Sequence, residues 1–313
     1  MTTLSYDEEY ERIAELHKLP LFVVNSDPDY LLKSLIPGLL WACLYMASLY
    51  LLCLMIGKIL FPQQGVLSIQ DRTTALLGAH KVTHFLGNVS IAALGLYYYN
   101  YSLPINPDVE EMVSGCKHIY PLACLQIAKQ LWALVQSSMN GGIKERTINY
   151  VHHVAVAIVS MSFLCFTLGI RYWVPFLLGV TEISSIFLAA VEAMRDYPLR
   201  GSKRYPGLYK TIQLCFAVSF LYIRVYLFLP QAWVFMRLGL WCLLSSERLE
   251  VFGWIFWIAG LFLVVLQAWW GVLIVKKTIR DHIIKPNAKK AAKHNSNSNS
   301  NSNEGHTNKS KSN

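Results

Sequence analysis

Long apolar runs separated by short charged stretches dominate the chain between Leu35 and Val275. A helix rises about 1.5 Å per residue, so roughly 20 mainly apolar residues cover the ~30 Å hydrocarbon core of a bilayer. Seven runs meet that length: about Leu35–Leu60, Thr73–Tyr99, Ile119–Ser138, Thr147–Thr167, Trp173–Met194, Leu208–Met236 and Val251–Val275. The first has no charge before Lys58. The second is interrupted by His80, Lys81, His84 and Asn88, and the third by Gln126, Lys129, Gln130 and Gln136. The fourth opens on the adjacent pair His152 and His153, the fifth holds Glu182, the sixth Arg224, and the seventh has Gln267 as its main polar interruption. The predicted fold class is all-α, a polytopic membrane protein with seven transmembrane helices. The first span lacks an Ala-x-Ala cleavage site and follows acidic residues, so it reads as a span and not as a signal peptide.

The polar interruptions carry the chemistry. An ionised side chain at the centre of a bilayer costs about 2.5–3.5 kcal/mol on insertion scales, so such residues must face a protein interior or a wet cavity. His80, His84 and Asn88 recur every fourth residue and share one helix stripe, and Gln126, Lys129 and Gln130 form another. His152 and His153 lie about 100° apart on their helix, so one is expected to face the interior and the other a neighbouring helix. Spans two to six are expected to share a polar cavity. Glu182 is the clear acid at depth, against Lys129, Arg224 and the histidines, so the excess of positive charge favours a ligand with an anionic head group. Two uses of Glu182 are open. It can hold a histidine as a general base, the carboxylate fixing the imidazole tautomer, or it can neutralise Arg224. The catalytic candidates are therefore His152, His153 and Glu182. The substrate-contact candidates are Arg72, His80, His84, Lys129, Ser184 and Arg224.

Composition agrees with this class. Of 313 residues, 54% are hydrophobic and 15% charged, with 9 Trp and 17 Tyr to occupy the lipid–water interfaces. The formal net charge of +9 is concentrated in loops and in the tail after Val275, which places that tail in the cytosol and, through seven spans, the acidic leader in the lumen. The loops holding Lys144 and Arg146, and Arg195 to Arg204, fall on the cytosolic side. Asn100-Tyr101-Ser102, a glycosylation sequon, falls on the lumenal side. Basic residues that flank spans favour anionic lipid surfaces over nucleic acid. The tail ends in low-complexity sequence, expected to be disordered, with Lys309 and Lys311 at the spacing of a dilysine-type retrieval signal for the endoplasmic reticulum.

Several chemistries find no motif. No Gly-x-Ser-x-Gly elbow or Gly-rich phosphate loop is present, and "HKVTH" lacks the glutamate of a zinc protease helix. The 7 cysteines form no CxxC pair; Cys116 and Cys242 both fall in lumenal loops and could pair across them. No metal or cofactor is expected.

Four ordered pieces resemble the TLC-domain family, which includes the ceramide synthases. They are "IQDRTTALLGAH" with Arg72 and His80, "KERTINYVHHVAVAIVSMSF" with His152 and His153, "GVTEISSIFLAA" with Glu182 and Ser184, and "FLYIRVYLFLP" with Arg224 and Pro230. The resemblance covers residues 70 to 280. It implies six helices in a barrel around a central cavity, one extra span ahead of them, lipid as the ligand, and the double histidine in the cavity near Glu182. Two departures separate the chain from the synthases. Their fifth span carries Asp-x-x-Asp where this chain has Glu182 and Ser185, and their basic, Trp-containing opening segment is not seen between Phe61 and Arg72. The chain is thus closer to the non-synthase branch.

The organisation expected is a lumenal segment over 1–34, a first span over 35–61, a TLC domain over 70–280 and a cytosolic tail over 281–313. The function expected is an effect on membrane lipid composition or homeostasis, by binding or acylating a lipid in an intramembrane cavity. The alternative is a sphingoid-base N-acyltransferase with acyl-CoA as co-substrate. Expected partners are membrane lipids, acyl-CoA and a sphingoid base under the alternative, and a second copy of the chain, but no nucleic acid. A receptor is disfavoured because no Asn-Pro-x-x-Tyr ends the seventh span, and a transporter because no internal repeat appears.

Overall fold

The computed structural model describes residues 33, 35–60, 69–101, 120–139, 143–165, 173–196, 201–245 and 251–280. The acidic leader, Cys116, Ser102 of the sequon and the low-complexity tail lie outside the described residues, and Arg72 and Cys242 are described in backbone only. The chain forms two units, Met1–Gln267 and Ala268–Asn313. The second is described over residues 268–280, the last turns of a helix.

Every described element is helical. In order they are α1 (Ile36–Leu60), α2 (Ile69–Tyr101), α3 (Tyr120–Met139), α4 (Ile143–Cys165), α5 (Glu182–Asp196), α6 (Pro206–Ser219), α7 (Phe228–Ser245) and α8 (Val251–Ile279), with a single turn at Gly201–Arg204. Two π-helical segments join them. Pro175–Val180 runs into α5 through Thr181, and Phe220–Leu227 links α6 to α7 as one continuous rod. The all-helical class expected from the sequence is the one observed.

Among the described residues, five stretches are long and apolar enough to cross a membrane: Ile36–Ile56, Thr147–Leu164, Pro175–Arg195, Pro206–Arg237 and Gly253–Ile279. Helices α2 and α3, at 33 and 20 residues, have the length but not the apolarity. The reason is where their polar residues go. Thr83, Asn88, Gln126, Lys129 and Gln130 are all buried inside the bundle, while Leu40, Leu44, Leu51, Ile258 and Val265 of α1 and α8 are exposed. Polar groups within and aliphatic groups without is the arrangement a hydrocarbon solvent demands.

Helix α3 packs against α4 and α1, and α2 lies against α1, α3, α5 and the π-helical segment ahead of α5. The α2 crossing is tight because Gly95 faces Gly179 with no side chain on either. Tyr45 and Ser90 share a 2.6 Å hydrogen bond between α1 and α2. The two π-helical segments meet each other: Phe176 and Val180 of the first pack on Ile223 of the second. A widened turn of this kind shifts side chains off the regular helical stripe and often marks a functional position. Pro230, two residues into α7, has no amide to bond the carbonyl of Tyr226, which accounts for widening upstream of it.

Candidate functional site

Glu182, the first residue of α5, is buried where α3, α5 and the second π-helical segment converge. Its Oε1 lies 2.8 Å from Nζ of Lys129 and accepts a 2.9 Å hydrogen bond from Nε2 of Gln126. Its Oε2 lies 3.7 Å from Nη2 of Arg224. Lys129 and Gln126 are three residues apart on α3, so one helix stripe delivers both to the carboxylate.

Arg224 is held more closely by α5 than by the charge it faces. Its Nε donates to the Thr181 carbonyl at 3.1 Å and to Ser184 Oγ at 2.7 Å, and its Nη2 donates to Ser185 Oγ at 2.7 Å. Its guanidinium also lies 5.7 Å from the Phe220 ring centroid, within cation–π range. Asn88 of α2 completes the network by donating to the Ser185 carbonyl at 3.2 Å. Two cations and one carboxylate leave this cluster one positive charge in excess. Of the histidines that the sequence inventory added to this excess, His153 meets Gln130 and His80 stacks on Tyr50 instead.

The paired histidines divide as the helix geometry requires. His152 lines a cavity inside the first unit, and His153 turns to α3, where its Nδ1 lies 2.6 Å from Oε1 of Gln130. The remaining candidates disperse. His80 leaves the stripe's other members to stack on Tyr50 at 4.5 Å between centroids, with Trp132 at 5.0 Å. His84 is half-buried on α2, and the side chain of Arg72 lies outside the described residues. So Glu182, Lys129, Ser184 and Arg224 come together, His152 shares the cavity wall with Glu182 and Arg224, and His80 belongs to an aromatic cluster of α1, α2 and α3.

The cavity has a volume of about 70 Å³, room for about five water-sized occupants. Gln126, Glu182, Arg224 and His152 form a polar part of its wall, and Phe163, Phe235 and Phe256 an apolar part. Those three rings pack edge to face and tilted, 5.7–6.4 Å apart. Gln126, Ser185, Thr181 and Gln267 are the site residues that sequence reasoning passed over. The signal for Gln126 was present, since it shares the stripe of Lys129, and Ser185 adjoins Ser184. A helical bundle whose described dense polar network lies inside, beside a mainly apolar cavity, with aliphatic side chains outward, defines an integral membrane protein. The family follows from a direct comparison: the TLC-domain family model matches residues 84–276, and the chain belongs to the TLC-domain family. No curated protein and no solved structure matches it. The matched span lies within the 70–280 range that the sequence pieces outlined.

The His153–Gln130 contact yields a prediction of its own. His153→Leu leaves the buried Gln130 amide unsatisfied, which costs about 1–3 kcal/mol, and Gln130→Leu strands the half-buried His153 ring nitrogen at a smaller cost. The double replacement removes both groups and is expected to cost less than the sum. Thermal unfolding of the four proteins in one detergent closes the cycle, and strict additivity would remove the coupling.

Proposed function

We propose that this protein binds a membrane lipid in its interior cavity and acts on membrane lipid composition by handling that lipid, without acyl-transfer chemistry of its own. The observation that carries this reading is the engagement of Glu182 by Lys129, Gln126 and Arg224. A histidine general base needs a carboxylate to orient it and stabilise its cation, and here the carboxylate at depth is occupied by cations while His153 turns to an amide. Ser185, which stands where the synthases' second acid would be, accepts a hydrogen bond from Arg224, so it serves the anchoring of that cation. This supports the non-synthase branch.

A sphingoid-base N-acyltransferase is the second reading, favoured by one observation: His152 and Glu182 line the same cavity. Untargeted lipidomics of membranes with and without the protein, run beside an assay of acyl-CoA-dependent ceramide formation, separates the two. Lipid handling predicts altered lipid composition and no ceramide formation by the purified protein. Ceramide formation above background would establish the alternative.

The reading is completed by seven spans in the endoplasmic reticulum, the leader lumenal and the tail cytosolic. Helices α2 and α3 then cross the membrane shielded by their neighbours, their polar residues turned inward. Glycosylation tags at the two termini test this orientation: modification is expected at the leader, and modification of a tag after Lys293 would overturn it.

A further inference from the structure

We infer that the polar group this cavity recognises is a neutral hydroxyl on an apolar chain, with Gln267 a specificity-determining residue. The inference rests on the lipid-handling reading above and names the chemistry of its ligand. Between Val251 and Val275, Gln267 is the one side chain bearing an amide, hydroxyl or charge. It is turned into the cavity and is 6% exposed, whereas Val265, two residues away, is 61% exposed and faces outward. Its Oε1 is buried with no hydrogen-bond partner.

Two more acceptors on the same wall share that condition. Gln126 is 1% exposed and Glu182 6%; Gln126 Oε1 is buried without a hydrogen bond, and Glu182 Oε2, although it faces the Arg224 guanidinium at 3.7 Å, accepts none either. The amide orientation of Gln126 is fixed, because its nitrogen donates to Glu182 and a carboxylate can only accept. Buried acceptors without donors are uncommon in folded proteins and mark a place for a missing partner. That partner must donate a hydrogen bond, which a carboxylate or phosphodiester cannot do. An ammonium donates, but Lys129 and Arg224 against Glu182 already leave the cluster one positive charge in excess, and a further cation would be repelled. A hydroxyl donates without charge, and its oxygen can accept from the Arg224 guanidinium that shares the wall. At about 70 Å³ the cavity takes the hydroxyl and the first carbons of such a chain, which the phenylalanine side of its wall suits, and the rest of the chain lies outside it. The proposed ligand is thus an alcohol, where the charge inventory of the sequence favoured an anionic head group.

The test uses the full chain in lipid nanodiscs and three radiolabelled probes of equal tail: 1-hexadecanol, hexadecanoate and hexadecylamine. Binding of 1-hexadecanol is expected to be about tenfold tighter than that of either other probe, since a site lined with unpaired polar groups discriminates strongly against a ligand that cannot pair them. Gln267→Met, of similar length, and Gln267→Leu are each expected to reduce the ratio of 1-hexadecanol to hexadecanoate binding severalfold. Hexadecanoate or hexadecylamine binding as tightly as the alcohol overturns the inference and leaves lipid handling standing. Absence of binding by all three overturns both. An undiminished preference in the Gln267 variants removes Gln267 from the role, and if neither variant folds, the preference of the unaltered protein decides.

Discussion

Glu182→Gln is expected to abolish accumulation of folded protein. The carboxylate meets Lys129 at 2.8 Å and Arg224 at 3.7 Å, and all three residues are buried. Removing one member of a buried ion cluster while its partners stay charged costs about 3–5 kcal/mol. That is a large part of the roughly 5–15 kcal/mol by which folded domains exceed their unfolded states. Gln preserves shape and can still bond Gln126, so the loss is one of charge and not of packing. Lys129→Met in the Glu182→Gln background deletes the nearest stranded cation and is expected to restore part of the stability, although Arg224 remains unpaired in charge. Arg224 retains its hydrogen bonds to Thr181, Ser184 and Ser185, which is why the recovery should be measurable. Expression level and melting temperature in detergent read both effects. Glu182→Gln protein that accumulates normally, with acyl-CoA-dependent ceramide formation lost, would make Glu182 a catalytic group and sink the structural assignment.

The second large effect is expected at the glycine crossing. A Cβ on Gly95 would lie 2.3 Å from Cα of Gly179, and a Cβ on Gly179 would meet Gly95 Cα at the same distance. Both obstacles are backbone, so no rotamer change relieves them, and α2 must part from the π-helical segment that positions Glu182. Overpacking of this kind costs about 1–3 kcal/mol and occasionally more. Gly95→Ala and Gly179→Ala should therefore lower the melting temperature, and the displacement should reach the Lys129–Glu182 contact. Gly207 in α6 provides the control, because nothing lies within 4 Å of its added Cβ. Gly207→Ala is expected to be neutral or to gain up to about 1 kcal/mol from helix propensity. Equal destabilisation by Gly95→Ala and Gly207→Ala would remove the crossing as the cause.

The sixth run illustrates how far sequence periodicity reaches. The stretch from about Leu208 to Met236 reads as one apolar span, and Pro206–Arg237 is one continuous helical rod. Its central π-helical segment, which turns Arg224 onto α5, was not legible, because a widened turn leaves composition unchanged and alters only which way side chains point. The choice between Arg224 and a histidine as partner of Glu182 went to Arg224, with Lys129 closer still. Gln267 was visible as an interruption but not as part of a site, since a lone amide in an apolar run does not announce what it faces.

What the sequence determined by itself is the solvent and the class. Apolar runs of span length make helices in a membrane because hydrocarbon cannot hydrogen-bond an exposed backbone, and the polar stripes on α2 and α3 were bound to turn inward because lipid penalises them. The split of His152 from His153 was equally fixed, by the angle between adjacent residues of a helix. What only the tertiary structure decided is which polar groups meet. Gln126 is 56 residues from Glu182 and Arg224 is 40 from Ser184, and no local pattern relates such positions. Their meeting depends on the Gly95–Gly179 crossing and on two facing π-helical segments, both products of close packing between helices distant in the chain. Charge and hydropathy say that buried ions need partners; only packing geometry selects them.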